Sequence, residues 1–338
     1  MKYRSLGRTG VKVSEFCLGA MMFGGKTNKA ESIEIIDYAL SKDVNFIDTA
    51  NGYAGNESER IVGEALSRDG KRENTILATK VFMPQGEDIN ARGPSRRHVI
   101  KACEDSLSRL KTDWIDLYQM HRPSSLVPID ETLRALDDLI RSGKIRYIGG
   151  SMFQGWKIVE SLWVAKELGL NRFISEQPGY HMLDRTAERE VIPAAETFGM
   201  AVLPWGPLCG GLLTGKYHRD AGPSDGRWQD GKDNANREVT PLAWEVIDLL
   251  RAMAEAKGCS VSQLSLAWCG AQPGVTAPII GPRTLAQVID NLGAVDVHLD
   301  AVDFAKIDAM VPPCSAAVSY YDGAMGLDLR SHPYRNVV

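Results

Sequence analysis

Short β-rich apolar runs alternate eight times with longer segments of helical period, and no other feature restricts the fold of this chain as strongly. The strand candidates are EFCLGA (15–20), NFIDT (45–49), TILATK (75–80), IDLYQM (115–120), IRYIGG (145–150), FISEQ (173–177), MAVLPW (200–205) and TAPIIG (276–281). ESERIVGEALS, SRRHVIKACEDSLSRL, DETLRALDDLIRSG and LAQVIDNLGAV are examples of the helical segments that follow. Eight strand–helix rounds predict an α/β fold, a closed (β/α)8 TIM barrel, with 1–338 forming a single domain. An open doubly wound sheet that binds a dinucleotide would carry G-x-G-x-x-G at its first strand–helix turn, whereas that turn here reads LGAMMFGG. The preceding YRSLGRTGVKV reads as a hairpin that plugs the barrel. Residues 206–240, after the seventh strand, form a long Gly-, Pro-, Asp- and Asn-rich loop of the kind that is usually functional or disordered. The segment 301–338 adds a helix and an irregular tail.

Composition narrows the function classes. A net charge of −4 and a pI near 5.9 offer no electrostatic footprint for nucleic acid, and SRRHVIK reads as a solvated helix face. Neither a secretion signal nor an apolar run of membrane-spanning length is present, so a cytoplasmic protein without a membrane partner is expected. Cys17, Cys103, Cys209, Cys259, Cys269 and Cys314 show no C-x-x-C or zinc spacing, and the histidines form no H-E-x-x-H; reduced thiols and no metal are expected. No segment specifies an oligomeric state.

In such barrels the chemistry is carried by strand C-terminal ends and the loops after them. Asp48 closes the second strand, Tyr53 lies in the loop beyond it, Lys80 ends the third, and His121 follows the fourth. An ammonium beside a tyrosine favours the phenolate, and a buried ammonium needs a counter-ion. Lys80 can supply the first and Asp48 the second, with His121 orienting the reacting oxygen or sharing its proton. This set suits general-acid catalysis at a carbonyl oxygen that gains negative charge as hydride reaches carbon. Singly, the four also read as a turn residue, a loop aromatic, a surface charge and a satisfied histidine; their common face argues for a joint role. Asn56 and Ser58 fit the N-cap of the following helix better than Asp48 does.

At these residues the sequence resembles the aldo-keto reductase superfamily over nearly its whole length. FIDTANGYAGNESERIVGEAL is similar to the family's F-D-T-A-x-x-Y stretch. LATK carries its lysine, and SLSRLKTDWIDLYQMHRP matches R-L-x-x-D-x-x-D-L-Y-x-x-H. The resemblance implies a (β/α)8 barrel, Tyr53 as general acid, Lys80 and Asp48 tuning it, and His121 orienting a small-molecule carbonyl substrate. It also implies NADPH/NADP+ bound without a Rossmann domain. By resemblance Gly19, Ala20 and Met21 follow the first strand, Ser151 and Gln177 meet the carboxamide, and Trp205 stacks on the nicotinamide. Gly206, Pro207, Leu208 and Lys216 surround the pyrophosphate, and Gly281, Arg283, Gln287, Asp290 and Asn291 the adenosine end, where Arg283 suits a 2′-phosphate.

Two departures alter that pattern: Met152 stands where many members have Asn, and Gly281–Pro282 where many have Lys–Ser. The FGG after the first strand, Trp205 and the long loop make the chain most similar to the branch of bacterial aldehyde and keto-sugar reductases and potassium-channel beta subunits. A cofactor-sensing regulatory subunit is therefore a competing reading. So is a nucleotide triphosphatase, since GGLLTGKY contains G-x-x-x-x-G-K at Gly210, Gly215 and Lys216. However, Tyr217 occupies the position where a P-loop needs Ser or Thr. Met22, Phe23, Phe82, Met83, Trp156 and Trp228 read equally as substrate wall or core, and Tyr320 and Tyr321 could reach over the mouth.

Overall fold

The structure, a computed structural model, describes residues 1–219, 228 and 238–318. Strands β1 (Tyr3–Ser5) and β2 (Lys12–Ser14) form an antiparallel hairpin in which Tyr3 faces Ser14. Eight parallel strands follow: β3 (Cys17–Gly19), β4 (Phe46–Asp48), β5 (Ile76–Val81), β6 (Ile115–Met120), β7 (Ile145–Ser151), β8 (Ser175–Gln177), β9 (Ala201–Val202) and β10 (Ile279–Ile280). Neighbours in sequence are neighbours in the sheet up to β9, and β10 pairs with β3. The Ile279 N–H donates to the Pro204 carbonyl at 2.8 Å, and Val202 bridges Val275, so the sheet curls round into the (β/α)8 barrel.

Between successive barrel strands run α1 (Lys29–Ser41), α2 (Glu57–Leu66), α3 (Arg96–Leu110), α4 (Ile129–Arg141), α5 (Gly155–Glu167) and α6 (Val191–Thr197). Both α7 (Pro241–Lys257) and α8 (Val261–Ala271) separate β9 from β10, while α9 (Leu285–Leu292) and α10 (Ala301–Met310) end the described chain. Side-chain caps set many of the starts: Thr240 and Ser260 accept from the third residue of α7 and α8, and Asp300 forms a capping box with Asp303.

The last strands are shorter than their apolar runs because proline interrupts them. Pro178, Pro204 and Pro278 have no N–H to give a ladder, so β8 stops at Gln177, β9 before Pro204, and β10 begins only at Ile279.

Strand alternation produces two cores. Cys17, Phe46, Ala78, Leu117, Ala201, Leu203 and Ala277 fill the barrel interior together with Leu6 and Val13, which makes the hairpin the plug of one end. Residues one step away, such as Leu18, Ile47, Leu77, Tyr118 and Ile148, face the helices in the larger cluster. Gly7, with φ of +59°, sits under this plug: a Cβ there would lie 2.7 Å from the Ile174 carbonyl oxygen.

Candidate active site

Two residues beyond the interior core layer, the same inward rows turn polar. Phe46 is followed on its row by Asp48, Ala78 by Lys80, and Leu117 by Gln119 and then His121. Parallel pairing sets Gly19 beside Asp48, Lys80 beside Gln119, and Ser151 beside Gln177. His121 is held by its own N–H, which donates to Val81 O at 3.0 Å. Asn51 N–H to Lys80 O and Tyr53 N–H to Ala50 O fold the loop after β4 back over the mouth.

Lys80 is fully buried and donates three ways: to Asp48 Oδ2 at 2.5 Å, Thr49 O at 3.0 Å and Tyr53 Oη at 3.1 Å. The other Asp48 oxygen, Oδ1, accepts from Gln119 Nε2 and Gln177 Nε2, each at 3.0 Å. His121 stands edge-on to Tyr53, with ring centroids 5.6 Å apart. Since Lys80 occupies a lone pair of Tyr53 Oη, the phenolic hydrogen is left to point elsewhere.

The electrostatics refine the expected roles. Burial opposes a charge on Lys80, but Asp48 and Tyr53 more than offset it, and the ammonium is held more firmly than usual. For Tyr53, burial dominates the opposing pull of Lys80, so its pKa lies above the ordinary tyrosine value rather than below it. Tyr53 is consequently a neutral phenol at pH 7. Lys80 lowers the cost of its ionisation without abolishing it. Burial, reinforced by Lys80 and Arg122, pushes His121 well below the usual histidine range. It is therefore a neutral imidazole, able to orient an oxygen but not to lend a proton from a cation.

These groups lie at one end of a cleft of about 760 Å³, within the range of small-molecule and cofactor sites. Gly19, Met21, Ser151, Gln177, Trp205, Gly206, Pro207, Leu208, Lys216, Gly281, Arg283, Gln287, Asp290 and Asn291 all line it. Ala20 does not, being fully buried, though its N–H ties β3 to the Asp48 carbonyl at 2.8 Å. Several lining side chains already have protein partners. Gln177 Nε2 faces Asp48, Ser151 Oγ donates to Gln177 O at 2.9 Å, and Gln287 Oε1 accepts from Arg283 N–H at 2.7 Å. Both Asp290 carboxylate oxygens are taken up by Ser260 and Gln263. Met152, at φ of +65°, accepts the Trp205 indole N–H on its sulfur at 3.1 Å and so steadies that ring.

Of the wall candidates, Met22 and Met83 line the cleft. Phe23 does not: it is fully buried in the helix-side core, because the turn after β3 tucks it beneath the loop. Phe82 packs partly buried against that core, and Trp156 is exposed on α5, outside the cleft. Trp228 is also core, with its indole N–H on the Cys209 carbonyl at 3.0 Å. Tyr320 and Tyr321 lie outside the described residues. The N-cap expectation needs correction as well: Asn56 occupies the cap position of α2 in a left-handed conformation, and its amide donates to Asn51 O and Gln85 Oε1 instead of accepting from the helix. Ser58, inside α2, bonds Thr49 Oγ1 and Ala20 O.

Gln119, Arg122, Lys26 and Tyr217 were not legible as site residues, yet Gln119 orients Asp48 and the other three line the cleft. Gln119 stands beside Lys80 in the parallel register, on the inward row of Leu117. The P-loop reading fails on geometry: residues 209–214 form an irregular 3-10 stretch, and residues 216–219 are not helical, so no helix N-terminus meets Lys216.

Beside Gln177, Glu176 is fully buried with Oε1 accepting the Phe153 N–H at 2.9 Å and Oε2 without a hydrogen-bond partner among the described residues. Burial pushes its carboxyl up to about 8, against the backbone N–H groups of Phe153 and Met152. The folded protein keeps this proton while the unfolded chain releases it near 4.5, so folding stability falls as pH rises between those values, by about 1.4 kcal/mol per pH unit from this group. Glu176→Gln removes that contribution. Urea unfolding from pH 5 to 8 checks it: the variant's stability declines less steeply, and parallel wild-type and variant curves contradict the assignment.

A (β/α)8 barrel that sets a lysine-bonded tyrosine, an aspartate and a neutral histidine at the C-terminal mouth of its strands defines a class of barrel oxidoreductases. The chain belongs to the aldo/keto reductase family, whose pattern it matches over residues 15–312 and whose proteins generally use nicotinamide cofactors. It is 39% identical over 322 residues to the uncharacterized oxidoreductase YrpG of Bacillus subtilis strain 168, covering 92% of this chain and 96% of that protein. It is also 35% identical over 320 residues to a probable voltage-gated potassium channel subunit beta of Oryza sativa subsp. japonica, covering 92% and 97% of the two chains. A protein of the same description from Arabidopsis thaliana is 36% identical over 302 residues, covering 88% and 92%. Among the described residues no helix is long and apolar enough to cross a membrane.

Proposed function

We propose that the protein reduces an aldehyde, ketone or keto-sugar carbonyl to an alcohol at the expense of NADPH, with Tyr53 as proton donor. The observation that carries this reading is the Lys80 hydrogen bond to Tyr53 Oη at 3.1 Å, backed by Asp48 and opening into the long cleft. Bound there, a reduced nicotinamide would supply hydride to the carbonyl carbon. His121 holds the carbonyl oxygen near Tyr53, whose proton passes to that oxygen as negative charge develops, while the Lys80 ammonium stabilises the phenolate left behind.

The cleft suits such a cofactor. It runs from the tetrad to Arg283, where α9 begins with Thr284 as its N-cap, and Lys26, Lys216 and Arg283 line it with positive charge. A Cβ added to Gly281 would meet nothing within 4 Å, which leaves open space at that end. Arg283 supports a preference for a 2′-phosphate because a guanidinium grips phosphate in a fork. Arg283→Ala is expected to weaken NADPH binding by about tenfold or more while weakening NADH much less. Fluorescence titration with both cofactors reads this, and equal weakening removes the contact. All six cysteines are free thiols, which supports a reducing compartment such as the cytoplasm.

The potassium-channel relatives favour a second reading, a cofactor-binding regulatory subunit with slow turnover. A panel of aldehydes, ketones and keto-sugars followed at the nicotinamide absorbance separates the two. Negligible turnover across the panel, together with copurification in a membrane complex, favours the second.

A further inference from the structure

Arg122, immediately after His121, has no carboxylate partner among the described residues. The two buried arginines do, Arg72 with Asp116 at 2.9 Å and Arg185 with Glu188 and Asp308 at 2.8 and 2.5 Å; of the partly buried ones, Arg109 pairs with Glu59 at 2.6 Å and Arg172 donates to the Phe173 and Phe198 carbonyls. Arg122 takes part in no ion pair among the described residues, and its buried Nε has no hydrogen-bond partner there. Leaving such a donor unsatisfied is costly, and an oxyanion is the group that satisfies it best.

Its position gives the unsatisfied charge a use. Arg122 lines the catalytic cleft with Tyr53, His121 and Met83, and it follows β6, four places along the sheet from the β10 that precedes Arg283. It also lines a second cavity of about 310 Å³ between the loop after β6 and α5, and no other described residue lines both. In that second cavity Lys157 is already engaged, donating to Ser124 O at 3.2 Å and pairing with Glu160 at 4.0 Å. Asp48, the carboxylate lining the tetrad end of the cleft, is taken up by Lys80, Gln119 and Gln177. Glu160, which lines the second cavity, pairs with Lys157, and no described carboxylate pairs with Arg122.

We propose that Arg122 is a specificity residue that selects carbonyl substrates bearing an oxyanion, a carboxylate or a phosphate, at the end remote from the reacting carbonyl. The inference rests on the reductase reading above. With the carbonyl oxygen at Tyr53 and His121, the substrate's charged end meets the guanidinium, which offers paired donors in a plane that fits either group.

Matched aldehydes test this: 4-formylbenzoate against 4-formylbenzamide, and 4-formylphenyl phosphate against 4-methoxybenzaldehyde, with wild type, Arg122→Ala and Arg122→Lys. Wild type is expected to favour the anionic member in kcat/KM. The anionic-to-neutral ratio is expected to fall about tenfold or more in Arg122→Ala. Arg122→Lys, which keeps the charge without the fork, retains part of the ratio, and circular dichroism checks that both variants fold. The pair showing the larger loss tells whether carboxylate or phosphate is the group selected. Absence of a wild-type preference, or a ratio that survives in Arg122→Ala, overturns the proposal. If wild type reduces none of the four aldehydes, the reductase reading fails by itself. Calorimetric titration with benzoate and phenyl phosphate then decides the anion site, since binding that is absent from wild type or undiminished in Arg122→Ala overturns it.

Discussion

Tyr53→Phe is expected to lower turnover by about 10²- to 10⁴-fold, the span that a positioned proton donor contributes. The phenylalanine keeps the ring edge against His121 and the Lys80 ammonium 4.9 Å from the ring centre, and it removes only the hydroxyl. Cofactor affinity is expected to stay close to wild type, because the main body of the cleft lies away from that oxygen. Single-turnover absorbance at saturating cofactor and carbonyl separates the two effects. Retained turnover would remove Tyr53 from the chemistry and, with it, the proposed function. Because burial raises the Tyr53 pKa, the wild-type rate is also expected to show no loss from Tyr53 ionisation through neutral pH.

The second large effect couples activity to folding. Lys80→Met leaves the Asp48 carboxylate buried, with Gln119 and Gln177 but no cation, and breaking a buried pair this way costs about 3–5 kcal/mol of stability. Turnover falls as well, since the phenolate that forms as Tyr53 gives up its proton loses its ammonium partner. The double variant Lys80→Met/Asp48→Asn distinguishes the two roles: it removes the stranded charge and recovers much of the stability, yet turnover stays low. Urea unfolding and kcat measured on the same preparations check it. If turnover recovers along with stability, Lys80 is a structural charge only.

Much of this molecule follows from periodicity. Strand ends placed Asp48, Lys80 and His121 on one rim, since the C-terminal ends of successive parallel strands meet at one mouth. Gln119 lies one residue short of its strand's end, and an amide in an apolar run gives no chemical signal until its partner is known. The wall residues followed no such rule. Phe23 and Trp228 have the composition of a pocket wall, but their burial depends on how the turn after β3 and the segment around Cys209 fold back onto the barrel, and neither path is encoded in spacing.

The sequence by itself determined the eight-fold βα order, the hairpin before it and which four side chains, Asp48, Tyr53, Lys80 and His121, meet at the barrel mouth, because these depend on local period and on strand ends. The tertiary structure alone decided the protonation states and the partnerships. Burial holds Tyr53 above its ordinary pKa despite Lys80, and keeps His121 neutral. Charge partners are set by what stands within a few ångströms in space, so Arg109 has Glu59 from fifty residues away while Arg122, beside His121, has no carboxylate at all among the described residues.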